Sequence, residues 1–298
     1  MAEMNMVFLN GKLLPAGEAQ VSVLDRGFIF GDGVYELVPV YSRVPFRLDE
    51  HLVRLERSLG ETRIRNPYSR AEWRSHIYKL VDAQPFDDQG VYFQVTRGVA
   101  KRDHAFPKSG EPTVFMMANP LVNPPAAQVE KGSAAVSAPD NRWLRCDIKS
   151  ISLIGNVLLR QLSAEAGAAE TILFRNGKLT EASASNVFIV RNGVILSPPK
   201  SNLILPGITY DVIAELARAN NLPLEFRDVA EAEVRSADEV WVTSSSKEVL
   251  AIVELDGKRV GDGRPGPVFR RMYQLYQEFK QKVMRAGKRE ATTEAMRA

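Results

Sequence analysis

Three Asn-Gly pairs set short extended runs apart, and they constrain the fold more than any other feature of this sequence. Asn10-Gly11 separates two apolar runs near the start, while Asn176-Gly177 and Asn192-Gly193 stand close together in the second half. Tight hairpin turns require positive φ at both central residues, which Asn and Gly tolerate best. Each pair therefore predicts two antiparallel strands, and the last two together predict a β-meander.

Helices are predicted where apolar residues recur every three or four positions. Leu48, Leu52, Leu55 and Leu59 form one such stripe, which predicts a helix over about residues 49–59. Both halves of the chain thus combine strands with helices, and the predicted fold class is α+β. Similar patterns predict three further helices around residues 70–83, 157–168 and 209–220.

The length of 298 residues is about twice that of a typical domain, so two domains are expected. The richest cluster of Asn and Pro falls at residues 119–125, which is typical of a linker. The predicted division is an N-terminal α+β domain over 1–119, a linker over 120–126, a C-terminal domain over 127–284 and a flexible tail over 285–298.

Composition excludes several classes of function. The 39 basic and 36 acidic residues give a net charge of +3 and are interspersed, so nucleic acid is not an expected partner. One cysteine, Cys146, and three histidines predict neither an internal disulfide nor a structural zinc site. No signal-peptide pattern and no apolar stretch of about 18 residues occur, so we expect a cytoplasmic protein that does not bind a membrane.

Two segments have the character of anion sites. Residues 205–209, Leu-Pro-Gly-Ile-Thr, lead into a predicted helix whose first N–H groups and dipole favour a phosphate. The predicted strand 239–243 ends in three serines, 244–246, whose hydroxyls also suit an oxyanion. Taken alone, the first segment is more typical of an ordinary helix cap, and the second fits a polar turn as well as an anion site.

Three further residue types suggest chemistry. Arg54 follows Arg47 and His51 at helical spacing, so one helix face has the pattern to aim cations into a cleft, although such faces are usually solvated. Lys149 lies in an apolar, strand-like run, and burial would make its amine a usable nucleophile and base. Glu181 precedes small residues that leave room for a ligand, but it needs a cationic partner to act.

Several of these segments, in this order, resemble the signature elements of the fold-type IV pyridoxal-phosphate enzymes, which include branched-chain and D-amino-acid aminotransferases. The D-amino-acid branch is the more similar, because the run Phe93-Gln94-Val95-Thr96-Arg97-Gly98 is followed by Arg102-Asp103-His104. The resemblance implies two domains, each with a mixed or antiparallel sheet or a β-barrel-like core and helices. The matching segments are residues 26–27, 30–36, 51–55, 145–150, 179–188, 205–209 and 243–248.

The resemblance also implies how pyridoxal phosphate is held. Lys149 would form a Schiff base with the cofactor and then move the substrate proton, and Glu181 would pair with the pyridine nitrogen. Leu205 would lie against the ring, and Asn186 is a further contact. The residues implied for the phosphate are Arg54, Ile208, Thr209 and Ser245. Ala182-Ser183-Ala184 departs from relatives that more often have glycine first and serine third, which puts hydroxyl contacts there in doubt.

For the substrate, the resemblance implies that Tyr35, Arg102 and His104 bind the carboxylate, with part of this set contributed by the partner subunit of a homodimer. The implied activity is a ping-pong transamination between D-amino acids and 2-oxo acids. The alternatives are a branched-chain L-amino-acid aminotransferase and an aminodeoxychorismate lyase of the same fold. A non-enzymatic small-molecule binder is permitted by composition, but Lys149 and Glu181 argue against it.

Overall fold

The computed structural model describes residues 6–286, which form two compact units. The first unit contains the described chain up to Leu121, the short segment Ile148–Leu153 and the described residues from Lys282 onward; the second contains Val122–Asp147 and Ile154–Gln281. The units divide inside the predicted linker, 120–126, although a strand continues to Pro120. Residues 148–153, assigned by sequence to the second domain, pack with the first unit.

The first unit is built on an antiparallel six-stranded sheet with the order β2-β1-β6-β5-β3-β4. The central strands β3 and β5 pair along their whole length, with Tyr35 opposite Gln94. Apolar residues of this sheet and of α2 and α3 share one core. The elements are β1 Met6–Leu9, β2 Lys12–Pro15, α1 Arg26–Phe30, β3 Gly33–Tyr41, β4 Val44–Pro45, α2 Leu48–Thr62, α3 Arg70–Asp82, β5 Gln89–Thr96 and β6 Thr113–Pro120.

The second unit is built on a mixed nine-stranded sheet. Its path is β12-β11-β10-β13-β14-β7-β8-β9, with β15 paired to β14, and β7 runs parallel to both of its neighbours. The strands are β7 Ser133–Pro139, β8 Glu170–Arg175, β9 Lys178–Ala182, β10 Asn186–Arg191, β11 Val194–Ser197, β12 Leu224–Phe226, β13 Glu239–Ser244, β14 Glu248–Leu255 and β15 Lys258–Arg259. The helices are α4 Ala126–Lys131, α5 Ile154–Glu165, α6 Ile208–Ala219, α7 Glu231–Arg235 and α8 Pro267–Phe279.

The predicted Asn-Gly turns are confirmed, because each pair joins two antiparallel strands: β1 to β2, β8 to β9 and β10 to β11. The predicted β-meander is wrong, because the two later hairpins are not adjacent in the sheet: β10 pairs with β11 and β13, while β9 pairs with β8 at the other end of the sheet. The four predicted helices are present as α2, α3, α5 and α6. The α+β class and the two-unit organisation of sheets and helices agree with the predicted fold.

The segment before β3 forms the short helix α1, because Asp25 caps its first turn and Gly31, at φ 65°, ends it in the left-handed region. The strand-like character predicted around Lys149 was wrong: Lys149 lies in irregular backbone, and the next residue, Ser150, makes an isolated bridge to Val34. Of the predicted tail, Arg285 pairs with Asp88, and residues 287–298 lie outside the described residues.

No helix in the described range is long and apolar enough to cross a membrane. Within the same range, no group of three or more His, Cys, Asp or Glu side chains is arranged to hold a metal ion.

Candidate active site

The first unit fixes Lys149 by its backbone and leaves its side chain half-buried. The carbonyl oxygen of Lys149 accepts a hydrogen bond from the Tyr35 N–H at 2.8 Å, and the backbone N–H of Lys149 donates to Ser58 Oγ at 3.4 Å. Strand β3 and helix α2 therefore hold this residue from two sides. Its Nζ lies 4.2 Å from the centroid of the Tyr35 ring, which is a favourable distance for a cation over an aromatic face.

A buried ion-pair cluster lies beneath the same helix. Arg54 donates from Nε and Nη2 to the two carboxylate oxygens of Glu36, both at 2.7 Å, and His51 Nδ1 lies 2.8 Å from Glu36 Oε2. Burial alone would raise the pKa of Glu36, but the charges and hydrogen bonds of Arg54 and His51 hold this pKa far below its usual range. The predicted cationic face thus turns two of its members, His51 and Arg54, into the protein toward Glu36.

The predicted substrate residues are also in the first unit, but they do not form one cluster. Tyr35 is half-buried on β3, and its ring stacks on Tyr92 at 5.4 Å between centroids. Arg102 and His104 are exposed on the loop after β5, beside the Phe30 ring. The described chain shows no hydrogen bond or ring contact between Tyr35 and either loop residue.

The second unit places Glu181 at the centre of a polar network. Arg142 Nη1 donates to Glu181 Oε1 at 2.5 Å, and Glu181 Oε2 accepts from the Leu205 N–H at 3.0 Å and from Asn186 Nδ2 at 3.3 Å. Asn186 also donates to the Leu205 carbonyl oxygen at 2.9 Å. Burial raises the pKa of Glu181 to about 7, although Arg142 opposes the change. The cationic partner that Glu181 requires is therefore Arg142.

The hydroxyls beside Glu181 are committed to another carboxylate. Ser183 and Ser185 both donate to the buried Glu170, the latter at 2.8 Å. The side-chain Nζ of Lys247 lies 2.9 Å from the same carboxylate, and the backbone N–H of Lys247 donates to Ser244 Oγ. Glu170 consequently ties the turn after β9 to the serine turn after β13.

The first turn of α6 lies beside the polar network around Glu181, and its residues Ile208 and Thr209 are buried. Its N-cap, Gly207, lies so close to Asn186 that a Cβ there would stand 2.2 Å from Asn186 Oδ1. Only a glycine lets this helix start approach the network around Glu181. The N–H groups of a first helical turn have no partners within the helix, so this end is suited to a phosphate.

Several buried side-chain polar atoms have no hydrogen-bond partner within the described residues, and two of them lie in segments already discussed, where they could meet a polar ligand. One is His51 Nε2 in the first unit, and the other is Thr243 Oγ1 in the second. Thr243 is paired with Asn186 across the sheet and precedes the half-buried Ser245. The donor chemistry in both units, with cations, hydroxyls and a free helix end, suits a phosphate, and the half-buried lysine suits an aldehyde.

Sequence reasoning missed Glu36, Arg142 and Glu170 as members of these networks. Glu36 had a detectable signal, since it alternates with Val34, Val38 and Val40 on one fully buried face of β3. A carboxylate on such a face requires cationic partners. Arg142 and Glu170 had no such signal, because nothing in their spacing relates them to Glu181 or to the serine turn.

A family model described as "Amino-transferase class IV" matches residues 33–255. The D-alanine aminotransferase of Bacillus licheniformis is 41% identical over 262 residues, which cover 88% of this chain and 92% of that protein. The D-alanine aminotransferase of Staphylococcus aureus strain MW2 is 39% identical over 276 residues, 93% of this chain and 98% of that protein.

Two solved structures of branched-chain enzymes have the same fold. The Escherichia coli branched-chain amino acid aminotransferase has a TM-score of 0.82 at 26% identity, over 91% of this chain and 93% of its own. The branched-chain amino acid aminotransferase from the archaeon Thermoproteus uzoniensis, solved with norvaline, also has a TM-score of 0.82 at 26% identity, over 94% of this chain and 96% of its own.

Proposed function

Because the chain belongs to the class IV aminotransferases, we propose that it transfers amino groups between D-amino acids and 2-oxo acids, with pyridoxal phosphate as its cofactor. It is an aminotransferase of the D-alanine aminotransferase type. The observation that carries the choice of D-amino acids is the identity of 41% to a D-alanine aminotransferase, against 26% to a branched-chain enzyme of the same fold.

We assign the reacting amine to Lys149. When bound, the cofactor supplies an aldehyde for this amine and a ring that withdraws electrons from the substrate Cα–H bond. The Lys149 Nζ, once released by the substrate amine, would remove the proton from Cα and deliver it to the former aldehyde carbon of the bound cofactor, on the other side of the amine nitrogen. Tyr35 and Ser58 hold the Lys149 backbone, so the side chain that carries this amine starts from a fixed point while the proton moves.

Glu181 is assigned to the ring nitrogen. A carboxylate beside this nitrogen favours its protonated form, and that form is the stronger electron acceptor. Arg142 and the Leu205 N–H hold the Glu181 carboxylate in place, so its orientation does not depend on the substrate. Leu205 supplies the apolar contact to the ring, and Asn186 orients Leu205 through its carbonyl oxygen.

The phosphate is assigned to Arg54 in the first unit and to Ile208, Thr209 and Ser245 in the second. The α6 N-terminus supplies N–H donors and a favourable dipole, while Arg54 supplies positive charge. Glu36 holds the Arg54 guanidinium by two bonds, which fixes its direction.

The substrate carboxylate is assigned to Tyr35, Arg102 and His104. The exposure of the two loop residues supports a role across a subunit boundary, where the loop of one protomer serves the site of its partner. We accordingly propose a homodimer. The single cysteine of the sequence, Cys146, supports a reducing compartment, and we propose the cytoplasm.

The helix α5 supports the dimer, because it presents an apolar stripe to solvent. Ile154, Val157, Leu158 and Leu162 recur at helical spacing and are 45% to 71% exposed. A contiguous apolar stripe of this kind marks a protein interface. We expect the wild type to elute as a dimer in light-scattering chromatography and Leu158→Glu to shift it toward the monomer; a monomeric wild type would contradict the proposal.

The second candidate is a branched-chain L-amino-acid aminotransferase, which the solved structures favour by fold. The two candidates are distinguished by profiling the purified enzyme with D- and L-amino acids. The carboxylate assignment is tested by Arg102→Ala with D-alanine and with an (R)-amine that lacks a carboxylate. An Arg–carboxylate contact in a cleft contributes about 1.5–3 kcal/mol, so the KM for D-alanine should rise about tenfold to a hundredfold. The amine should be affected far less, and equal effects on both substrates would remove Arg102 from the carboxylate site.

A further inference from the structure

The first helix, α1, begins a run of motif residues to which the proposed function gives no role. Arg26 and Asp32 belong to it, and both lie in the first unit together with the loop that carries Arg102 and His104. Arg26 is buried at the first position of α1. Burying an arginine costs free energy unless its charge and its N–H groups have partners, so partners of this side chain are expected.

The Arg26 guanidinium is bound to the backbone of that loop. Its Nη1 donates to the Asp103 carbonyl oxygen at 2.5 Å and to that of Ala105 at 3.4 Å, and its Nη2 reaches the His104 carbonyl oxygen at 3.5 Å. Three successive carbonyl groups thus converge on one side chain. The five N–H donors of an arginine can serve these groups and a counter-charge together, whereas the three donors of an ammonium group cannot.

Asp32 fixes this guanidinium from the opposite side. It accepts from Arg26 Nε at 2.7 Å and from Arg97 Nε and Nη2 at 2.8 and 2.9 Å. Arg97 also donates to the Thr62 carbonyl oxygen at the end of α2, at 2.8 Å. Burial alone would raise the pKa of Asp32, but these two arginines hold this pKa below its usual range. The loop is therefore connected through Arg26 and Asp32 to the sheet and to α2.

Two aromatic rings complete the attachment. Phe30, the last residue of α1, has the Arg102 guanidinium carbon 5.5 Å from its ring centroid and the His104 ring 5.4 Å away. Farther along the loop, the Arg97 guanidinium carbon lies 3.7 Å from the centroid of Phe106. Each is within the range of cation–aromatic or ring–ring attraction.

We propose that Arg26, Asp32 and Phe30 are positioning residues that hold the Arg102–His104 loop ready for a substrate carboxylate before substrate arrives. In this role they touch neither cofactor nor substrate. Because they order the loop in advance, the loop loses less conformational entropy when it binds the substrate carboxylate. The inference rests on the proposed function, because it takes Arg102 and His104 as the carboxylate ligands.

The test is Arg26→Lys, which keeps the positive charge but has too few donors to serve Asp32 and the three carbonyl groups together. We expect the KM for D-alanine to rise about tenfold while kcat stays within about twofold, since only substrate capture depends on a preformed loop. Hydrogen exchange should quicken at the amides of residues 102–106 in the substrate-free enzyme. Arg70→Lys is the matched control, because Arg70 binds Glu56 on an exposed helix surface, far from the loop in sequence, and should change neither quantity.

An unchanged KM, unchanged exchange, or equal falls in kcat and in 1/KM would overturn the inference. If Arg26→Lys does not fold, Phe30→Leu replaces it, because this variant keeps apolar volume but removes the ring beside Arg102 and His104. Arg102→Ala separates the two levels of the argument. If it does not discriminate D-alanine from an (R)-amine, the proposed carboxylate role fails; if it does and Arg26→Lys has no effect, only the present inference fails.

Discussion

Replacing Glu36 by glutamine should destabilise the first unit strongly, because it removes the buried charge to which Arg54 and His51 are bound. Glu36 is fully buried and accepts two bonds of 2.7 Å from Arg54 and one contact of 2.8 Å from His51. Removing one member of a buried ion pair costs about 3–5 kcal/mol. Glutamine retains one acceptor oxygen, so we expect the lower end, about 3 kcal/mol.

The assay is native-state hydrogen exchange of the α2 amides in cofactor-free protein, because these amides report on the first unit alone. Glu56→Gln is the matched control on the same helix, since Glu56 binds the exposed Arg70. An exposed pair contributes only about 0.2–1 kcal/mol.

A double variant, Glu36→Gln with Arg54→Met, sharpens the test. The double variant removes both charges of the buried pair and so avoids burying the Arg54 charge without Glu36; it should be more stable than Glu36→Gln alone. A loss below about 1 kcal/mol for Glu36→Gln, or a double variant less stable than the single one, would refute the reasoning about a strongly coupled buried pair.

Three further variants test the assigned site. Lys149→Ala should abolish covalent attachment of the cofactor and nearly all turnover; borohydride reduction followed by mass spectrometry should find the added mass on the Lys149 peptide of the wild type only. Glu181→Gln should bind the cofactor but slow the half-reaction by about a hundredfold, and an unchanged rate would give Glu181 another role. An acid whose pKa is raised on folding stabilises the fold below its unfolded value, here about 4.5, and that contribution is lost as pH rises through about 7. The cofactor-free wild type should therefore lose stability between pH 5 and pH 8 relative to Glu181→Gln, as thermal melts at each pH will measure. Gly207→Ala should displace the Asn186 amide, whose Oδ1 would stand 2.2 Å from the new Cβ, and weaken cofactor binding in a fluorescence titration. Gly60→Ala is its control, because a Cβ there meets nothing within 4 Å; equal affinities for the two variants would count against the role of Gly207.

The sequence predicted the strands and helices best where one local rule decides them. The Asn-Gly turns required positive φ, and Asn10, Asn176 and Asn192 all adopt it. The leucine stripe of α2 likewise required a buried face, and Leu52 and Leu55 are in the core. Such features depend on residues that are close in sequence, so each can be predicted from a single short segment of the chain.

The polar contacts were less predictable, because their partners come from distant segments. The same α2 whose apolar face was predicted turns His51 and Arg54 toward Glu36, which no spacing rule within the helix reveals. Glu181 is held by Arg142, and the two are separated by a helix and a strand along the chain. The resemblance to a family supplied the candidate residues of the site, while the contacts that support these residues became visible only in the fold.

The central claim is that this aminotransferase acts on D-amino acids. The most direct measurement is a single-turnover half-reaction of the purified enzyme with D-alanine and, separately, with L-alanine and L-leucine, followed by the absorbance of the bound cofactor. We predict that D-alanine converts the cofactor from its aldehyde to its amine form and yields pyruvate, while both L-amino acids leave the spectrum unchanged. Conversion by L-leucine without conversion by D-alanine would contradict the account and establish the branched-chain alternative.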